Sequence, residues 1–115
     1  MAINPKNMFS FLKKIAGGGN DATQQAITNG AIIIDVRTPA EYNTGHITGS
    51  KNIPLDILKP NIAMIKKWQK PVITVCRSGA RSGMAKSILS AAGIQTINGG
   101  PWTSLDNSRM NQPKA

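Results

Sequence analysis

The sequence predicts an α/β domain, a central parallel sheet of four or five strands with helices on both faces. Two apolar runs, residues 31–36 and 72–75, have the continuous character of strands buried on both faces. Segments with helical spacing alternate with them, which implies right-handed crossovers and a parallel sheet. Asp35 and Cys76 both fall at the C-terminal ends of these runs, where parallel sheets of this class carry their chemistry. A chain of 115 residues, 40% of them apolar, is long enough for one domain with one compact core.

Residues 1–19 read as an N-terminal extension, flexible or a short docking helix. Their apolar patch, Met8-Phe9-Ser10-Phe11-Leu12, precedes a flexible break at Gly17-Gly18-Gly19. The patch is too short for a signal peptide, and Lys13 and Lys14 follow it instead of preceding it. Asp21 is placed to cap a helix through Ala22, Gln24, Ala26 and Ile27, and Gly30 to end it. The run at 31–36 is the first strand. Pro39-Ala40-Glu41-Tyr42 is a helical turn with proline at its start. Gly45 and Gly49 bracket a loop around His46, and Asn52-Ile53 is at most a short strand.

Leu55, Leu58, Ile62, Ile65 and Trp68 recur at helical spacing, and Pro60 splits them into two pieces. The strand ending at Cys76 comes next. Met84, Ala85, Ile88, Leu89 and Ala92 form an apolar stripe on the following helix, which Gly93 ends. A last strand covers 94–97, closed by Gly99-Gly100-Pro101, with a short helix through Trp102 and Leu105. The domain is expected over 20–107, followed by a loose tail over 108–115.

Composition bounds the function. The lone cysteine excludes an internal disulfide, and with the single His46 it supplies too few ligands for a metal site. No cofactor is expected. A lone thiol suits a reducing compartment, so the expected location is cytoplasmic, and no run is long or apolar enough to span a membrane. The net charge of +9 raises the question of nucleic acid. Lys66, Lys67 and Lys70 cluster at one helix end and the other cations are scattered; with 4% aromatic residues and no recognition motif, specific nucleic-acid binding is not expected. A positive field that draws small anions fits better.

Cys76-Arg77-Ser78-Gly79-Ala80-Arg81 is where that field has an object. Strand, cysteine, short basic turn and helix together make an anion cradle: turn amides point inward and the positive end of the helix dipole faces the same spot. A thiol placed there ionises below its free pKa of about 8.5.

These residues resemble the rhodanese family, the single-domain sulfurtransferases. Asp35-Val36-Arg37, Glu41-Tyr42, Gly45-His46-Ile47, Gly49-Ser50 and Asn52-Ile53-Pro54 are similar to that family's first signature. Cys76-Arg77-Ser78-Gly79-Ala80-Arg81-Ser82 is similar to its active-site loop, and Gly99-Gly100 with Trp102 to its C-terminal region, one residue shorter before the tryptophan. Gly17-Gly18-Gly19-Asn20 is a poor strand. The family's usual first edge strand is therefore absent, placed within 1–16, or reduced to an isolated bridge.

The resemblance implies a persulfide on Cys76, with its outer sulfur held by the amides of residues 77–81. Ping-pong transfer follows, from a small anionic donor such as thiosulfate to cyanide or a cellular thiol, with a thioredoxin-like protein as a possible class of acceptor. Cys76 is then the nucleophile, and Arg77, Ser78, Gly79, Ala80 and Arg81 bind substrate. Arg77 is favoured for donor contact, whereas Arg81 is open between donor contact and bracing the loop against a carboxylate. Ser78 and Ser82 can donate to the sulfur anion, and for Ser82 a capping role is preferred. Asp35, Arg37 and Glu41 are read as a charge network, His46 as a loop-fixing donor, and Trp68 and Trp102 as core.

Two other functions are weighed. A non-catalytic persulfide carrier or docking module in a sulfur relay needs the same cysteine and a specific protein acceptor. A phosphatase or arsenate reductase is disfavoured: cysteine phosphatases carry a loop one residue longer between cysteine and arginine, and no second cysteine is present.

Overall fold

The computed structural model describes residues 19–105; the rest of the expected extension, the tail, and the positions where an earlier edge strand would fall lie outside the described residues. The elements in order are α1 (Gly19–Thr28), β1 (Ile32–Asp35), α2 (Pro39–Asn43), β2 (Lys51–Asn52), two 3-10 turns (Leu55–Ile57 and Lys59–Asn61), α3 (Ile62–Lys67), β3 (Val72–Cys76), α4 (Ala80–Ala91) and β4 (Thr96–Pro101). A helical turn over 102–105 follows. Four parallel strands form one sheet in the order β2-β1-β3-β4, so β1 and β3 are central, as their continuous apolar character requires. No helix among the described residues is long and apolar enough to cross a membrane.

Alternation along the central strands divides the core in two. Ile34, Val36 and Val72 face Leu58, Ile65, Ala85 and Leu89, the side covered by the 3-10 turns, α3 and α4. Ile33, Ile73 and Val75 face Ala26, Ile47 and Leu105, the side of α1 and the last helical turn. Thr74 and Cys76 share the α4 side of β3 with Val72. The Thr74 hydroxyl donates to the Ser82 carbonyl at 2.8 Å, which ties the first turn of α4 to the strand and sets Cys76 beside it.

Local chemistry explains the element ends. Thr38 and Glu41 form a reciprocal capping box, and Pro39 lies in the first turn of α2, where its missing N–H costs nothing. Pro60 lies near the start of the second 3-10 turn, so the stretch from 55 to 67 forms three short pieces where two were expected.

Three expectations are corrected. α1 begins at Gly19, two residues before the expected Asp21 cap, because a first-turn glycine is tolerated once Ala22 and Ala26 bury the helix face. Met84 is 58% exposed: the buried face of α4 centres on Ser82, Ala85 and Leu89, and Met84 lies one helical step off it. Gly99 and Gly100 do not end the last strand, which starts at Thr96 and runs through them. A bulge between Thr74 and Val75 leaves Gly99 opposite no residue of β3. A Cβ at Gly99 would stand 2.8 Å from Ile73 Cγ2 and 3.0 Å from the Thr74 carbonyl, so only glycine lets β4 approach β3 there.

Candidate active site

β3 delivers Cys76 fully buried to the C-terminal edge of the sheet. The chain then turns through Arg77 and Ser78, both exposed, to Gly79, whose φ of +103° begins α4. Gly79 N–H donates to Cys76 Sγ at 2.9 Å. The first backbone bond of α4 runs from Gly83 N–H to the Gly79 carbonyl at 3.0 Å, which leaves the first-turn amides without helical partners.

Burial of Cys76 opposes ionisation, yet the Ser82 hydroxyl and the amides of Ser82, Gly79 and Ser78 outweigh it. The thiol is held below its ordinary pKa. Of the expected 77–81, the amides of Ser78 and Gly79 bear on Sγ, and that of Ser82, one residue further on, joins them because the first-turn amides of α4 lack helical partners. Ala80, the first residue of α4, is exposed and adds a small side chain at the rim.

Ser82 does not take the expected capping role: the N-cap of α4 is Gly79, with no side-chain cap hydrogen bond. Ser82 is fully buried, and its hydroxyl lies 3.3 Å from Cys76 Sγ and 2.7 Å from Asn98 Oδ1. Asn98 on β4 was not among the sequence candidates. Its position directly before Gly99-Gly100 was the available signal, but the bulge that aligns it with the loop is visible only in the fold.

The charge network occupies the neighbouring strand end. Arg37 donates from Nε to both Asp35 carboxylate oxygens, at 2.9 and 3.0 Å, and from Nη2 to Oδ2 at 2.7 Å. Its remaining donors reach the Glu41 and Gly45 carbonyls, and its guanidinium stacks on half-buried Trp102 with the carbon 4.8 Å from the ring centre. Trp68 is likewise half-buried against the other core. Asn52 Nδ2 ties β2 to this loop through the Asp35 and Arg37 carbonyls, each at 3.0 Å. His46 Nδ1 lies 2.8 Å from the Tyr42 carbonyl, and its ring stacks on Tyr42.

Arg81 forms a two-pronged pair with Glu41, at 2.7 and 2.9 Å, linking α4 to α2 across the loop. That guanidinium, then the Thr38 amide, holds the Glu41 carboxyl far below the usual carboxylate range, so the brace is intact at neutral pH and weakens only in strong acid. Of its two expected roles, Arg81 is placed for bracing. Arg77 differs: among the described residues its side chain has no hydrogen bond or ion pair. Arg37 is thus paired with Asp35 and Arg81 with Glu41, while the exposed Arg77, next to Cys76 in the chain, is unpaired. A cleft of about 280 Å³ adjoins Arg81, walled by Val36, Thr38, Pro54, Leu55 and Asp56.

A buried thiol with lowered pKa, ringed by amides and followed in the chain by an exposed, unpaired arginine, can act as a nucleophile and hold an anionic adduct. Known proteins share the arrangement of the chain. A family model described as Rhodanese-like domain matches residues 20–100. Thiosulfate sulfurtransferase PspE of Escherichia coli is 43% identical over 65 residues, 56% of this chain and 62% of its own length. The uncharacterized protein YqhL of Bacillus subtilis is 43% identical over 67 residues, 58% of this chain and 52% of its own. The chain thus spans less than two thirds of either relative. Among solved structures, a rhodanese with anions from E. coli superposes with a TM-score of 0.61 at 35% identity, covering 75% of this chain and 98% of that one. A rhodanese-like domain protein from Staphylococcus aureus gives 0.63 at 28%, covering 76% and 86%. With four parallel strands, a cysteine loop between β3 and α4, and a family match over most of its length, the chain belongs to the rhodanese-like domain family.

Proposed function

We propose that this chain is a sulfurtransferase that carries sulfane sulfur from an anionic donor of the thiosulfate class, through a persulfide on Cys76, to a thiol acceptor. The observation that carries this reading is the Gly79 N–H 2.9 Å from Sγ at the mouth of α4. It gives an ionised sulfur a preorganised donor without calling on a general base. The name of the E. coli relative PspE supports the choice of thiosulfate.

The Cys76 thiolate attacks the outer sulfur of thiosulfate. A new S–S bond forms, the donor S–S bond breaks, and sulfite leaves with the electron pair. The negative charge then resides on the outer sulfur of Cys76–S–S⁻, within reach of the collar formed by residues 77–82. A thiolate acceptor, or cyanide in an assay, attacks that sulfur and restores the Cys76 thiolate. Ser78, Gly79 and Ala80 shape the collar, Arg77 meets the donor, and Arg81 is a positioning residue acting through Glu41.

Intact-mass analysis after incubation with thiosulfate is expected to show a gain of one sulfur atom. Cyanide should remove it, and Cys76→Ser should never acquire it. Wild-type protein that stays unmodified, with its thiol titrating like a free one, overturns the reading. A second expectation concerns the free guanidinium. Arg77→Ala should raise the KM for thiosulfate about tenfold, the worth of one charge-assisted contact, with the melting temperature unchanged. Unaltered steady-state kinetics would remove Arg77 from donor binding.

A further inference from the structure

Ser82 has one hydroxyl proton and two claimants for it, Cys76 Sγ at 3.3 Å and Asn98 Oδ1 at 2.7 Å. The orientation of the Asn98 amide is set by its surroundings. Gly100 N–H donates to Oδ1 at 2.9 Å, and Nδ2 donates to the Gly79 carbonyl at 3.3 Å. A flipped amide would oppose two donors at Gly100 and two acceptors at Gly79. Oδ1 therefore faces Ser82 as a pure acceptor.

Two proton arrangements follow. With a neutral thiol, Sγ–H donates to Ser82 Oγ, and Ser82 donates to Asn98. With a thiolate, the hydroxyl turns to Sγ, and Asn98 Oδ1 keeps only the Gly100 amide. We propose that Asn98 is a positioning residue that competes with Cys76 Sγ for the Ser82 proton and so favours every state in which Sγ carries no charge. On the proposed function, the persulfide is one of those states, since its charge resides on the outer sulfur. Asn98 then destabilises the bare thiolate relative to both the thiol and the loaded form, and favours loading. The opposing contribution, Nδ2 steadying Gly79, is a longer bond from an exposed side chain and is the weaker of the two.

Other charges bear on Cys76 and must be held constant. Arg81 on α4 is within electrostatic reach of both Cys76 and Asp35, the latter paired with Arg37 at the end of β1. Glu41 on α2 pairs with Arg81, Arg77 is on the loop itself, and Asp56 borders the cleft at Arg81. None is altered by removing an amide at position 98, so a double-mutant cycle isolates the pathway through Ser82.

The test is the pH profile of Cys76 alkylation by iodoacetamide in the full chain. Asn98→Ala should move the midpoint to lower pH and raise the rate below it about threefold, the worth of one neutral hydrogen bond. Asn98→Leu, which keeps the volume, should do the same; position 98 is exposed, so neither change empties the core. In a Ser82→Ala background neither substitution should move the midpoint to lower pH. An unmoved midpoint, or the same shift in both backgrounds, overturns the proposal. Alkylation involves no sulfur donor, so this outcome is independent of whether thiosulfate loads the protein. If loading holds, Asn98→Ala should also lower the loaded fraction about threefold at a fixed ratio of thiosulfate to sulfite, again only when Ser82 is present.

Discussion

Replacing Arg37 with alanine is expected to cost about 3–5 kcal/mol of folding stability, because it leaves one member of a buried ion pair behind. The side chains of Arg37 and Asp35 are 4% and 0% exposed. Without the guanidinium, the Asp35 carboxylate keeps the Arg37 backbone N–H at 3.0 Å as its donor, inside a site closed to water. The Glu41 and Gly45 carbonyls each lose a donor, and Trp102 loses the group stacked on it. Since small domains are stable by only about 5–15 kcal/mol, about a fifth or more of the total is at stake. Urea unfolding measures it through the midpoint at constant slope. The comparison that isolates the cause is Asp35→Leu with Arg37→Met, which removes both charges and should be markedly less damaging than Arg37→Ala alone. A loss below about 1 kcal/mol in Arg37→Ala would mean that water reaches Asp35 and that the pair is not the clasp of this loop.

That clasp was legible in outline from sequence. Asp35 and Arg37 flank one residue at the end of an apolar run, and at such short range a strand-end turn brings them together. Cys76 was legible for the same reason, because a buried parallel strand is a continuous pattern and its last residue is easy to find. Thr38-x-x-Glu41 is also a visible capping signature, but the second duty of Glu41 as partner of Arg81 joins residues 40 positions apart and needs the fold. Ser82 and Asn98 were hidden by another kind of distance. Ser82 lies near the start of a helix, where sequence alone suggests a capping serine, and nothing local separates that role from a hydroxyl turned onto a sulfur. Asn98 reaches Ser82 only because β4 continues through Gly99 and Gly100 by way of a bulge, where a local reading ends the strand. The exposure of Met84 is a matter of phase. Over the three turns of α4, adjacent positions 84 and 85 both fit an apolar stripe, and the contact with β3 selects Ala85.

Gly79→Ala should slow persulfide formation about a hundredfold, at the low end of what removing one preorganised donor costs an enzyme. Space is not the obstacle: a Cβ at Gly79 would meet Gly100 Cα at 3.6 Å, an ordinary contact. The obstacle is the backbone. At φ +103° an L-residue is strained by about 1–2 kcal/mol, and the chain can escape the strain only by rotating the peptide that aims Gly79 N–H at Cys76. Either the strain is retained and the domain loses stability, or it is relieved and the sulfur loses its donor. The thiol midpoint should then rise, since the Gly79 amide is among the groups that lower it. Gly93 supplies the control. It has a φ of +87° just past the other end of α4, with nothing within 4 Å of its added Cβ. Gly93→Ala should show a similar thermal destabilisation with unchanged alkylation and loading. If Gly79→Ala is less destabilised than Gly93→Ala, so that its strain has been relieved, and still loads sulfur at the wild-type rate, the amide at position 79 is not what makes Cys76 reactive, and the remaining burden falls on Ser78 and Ser82.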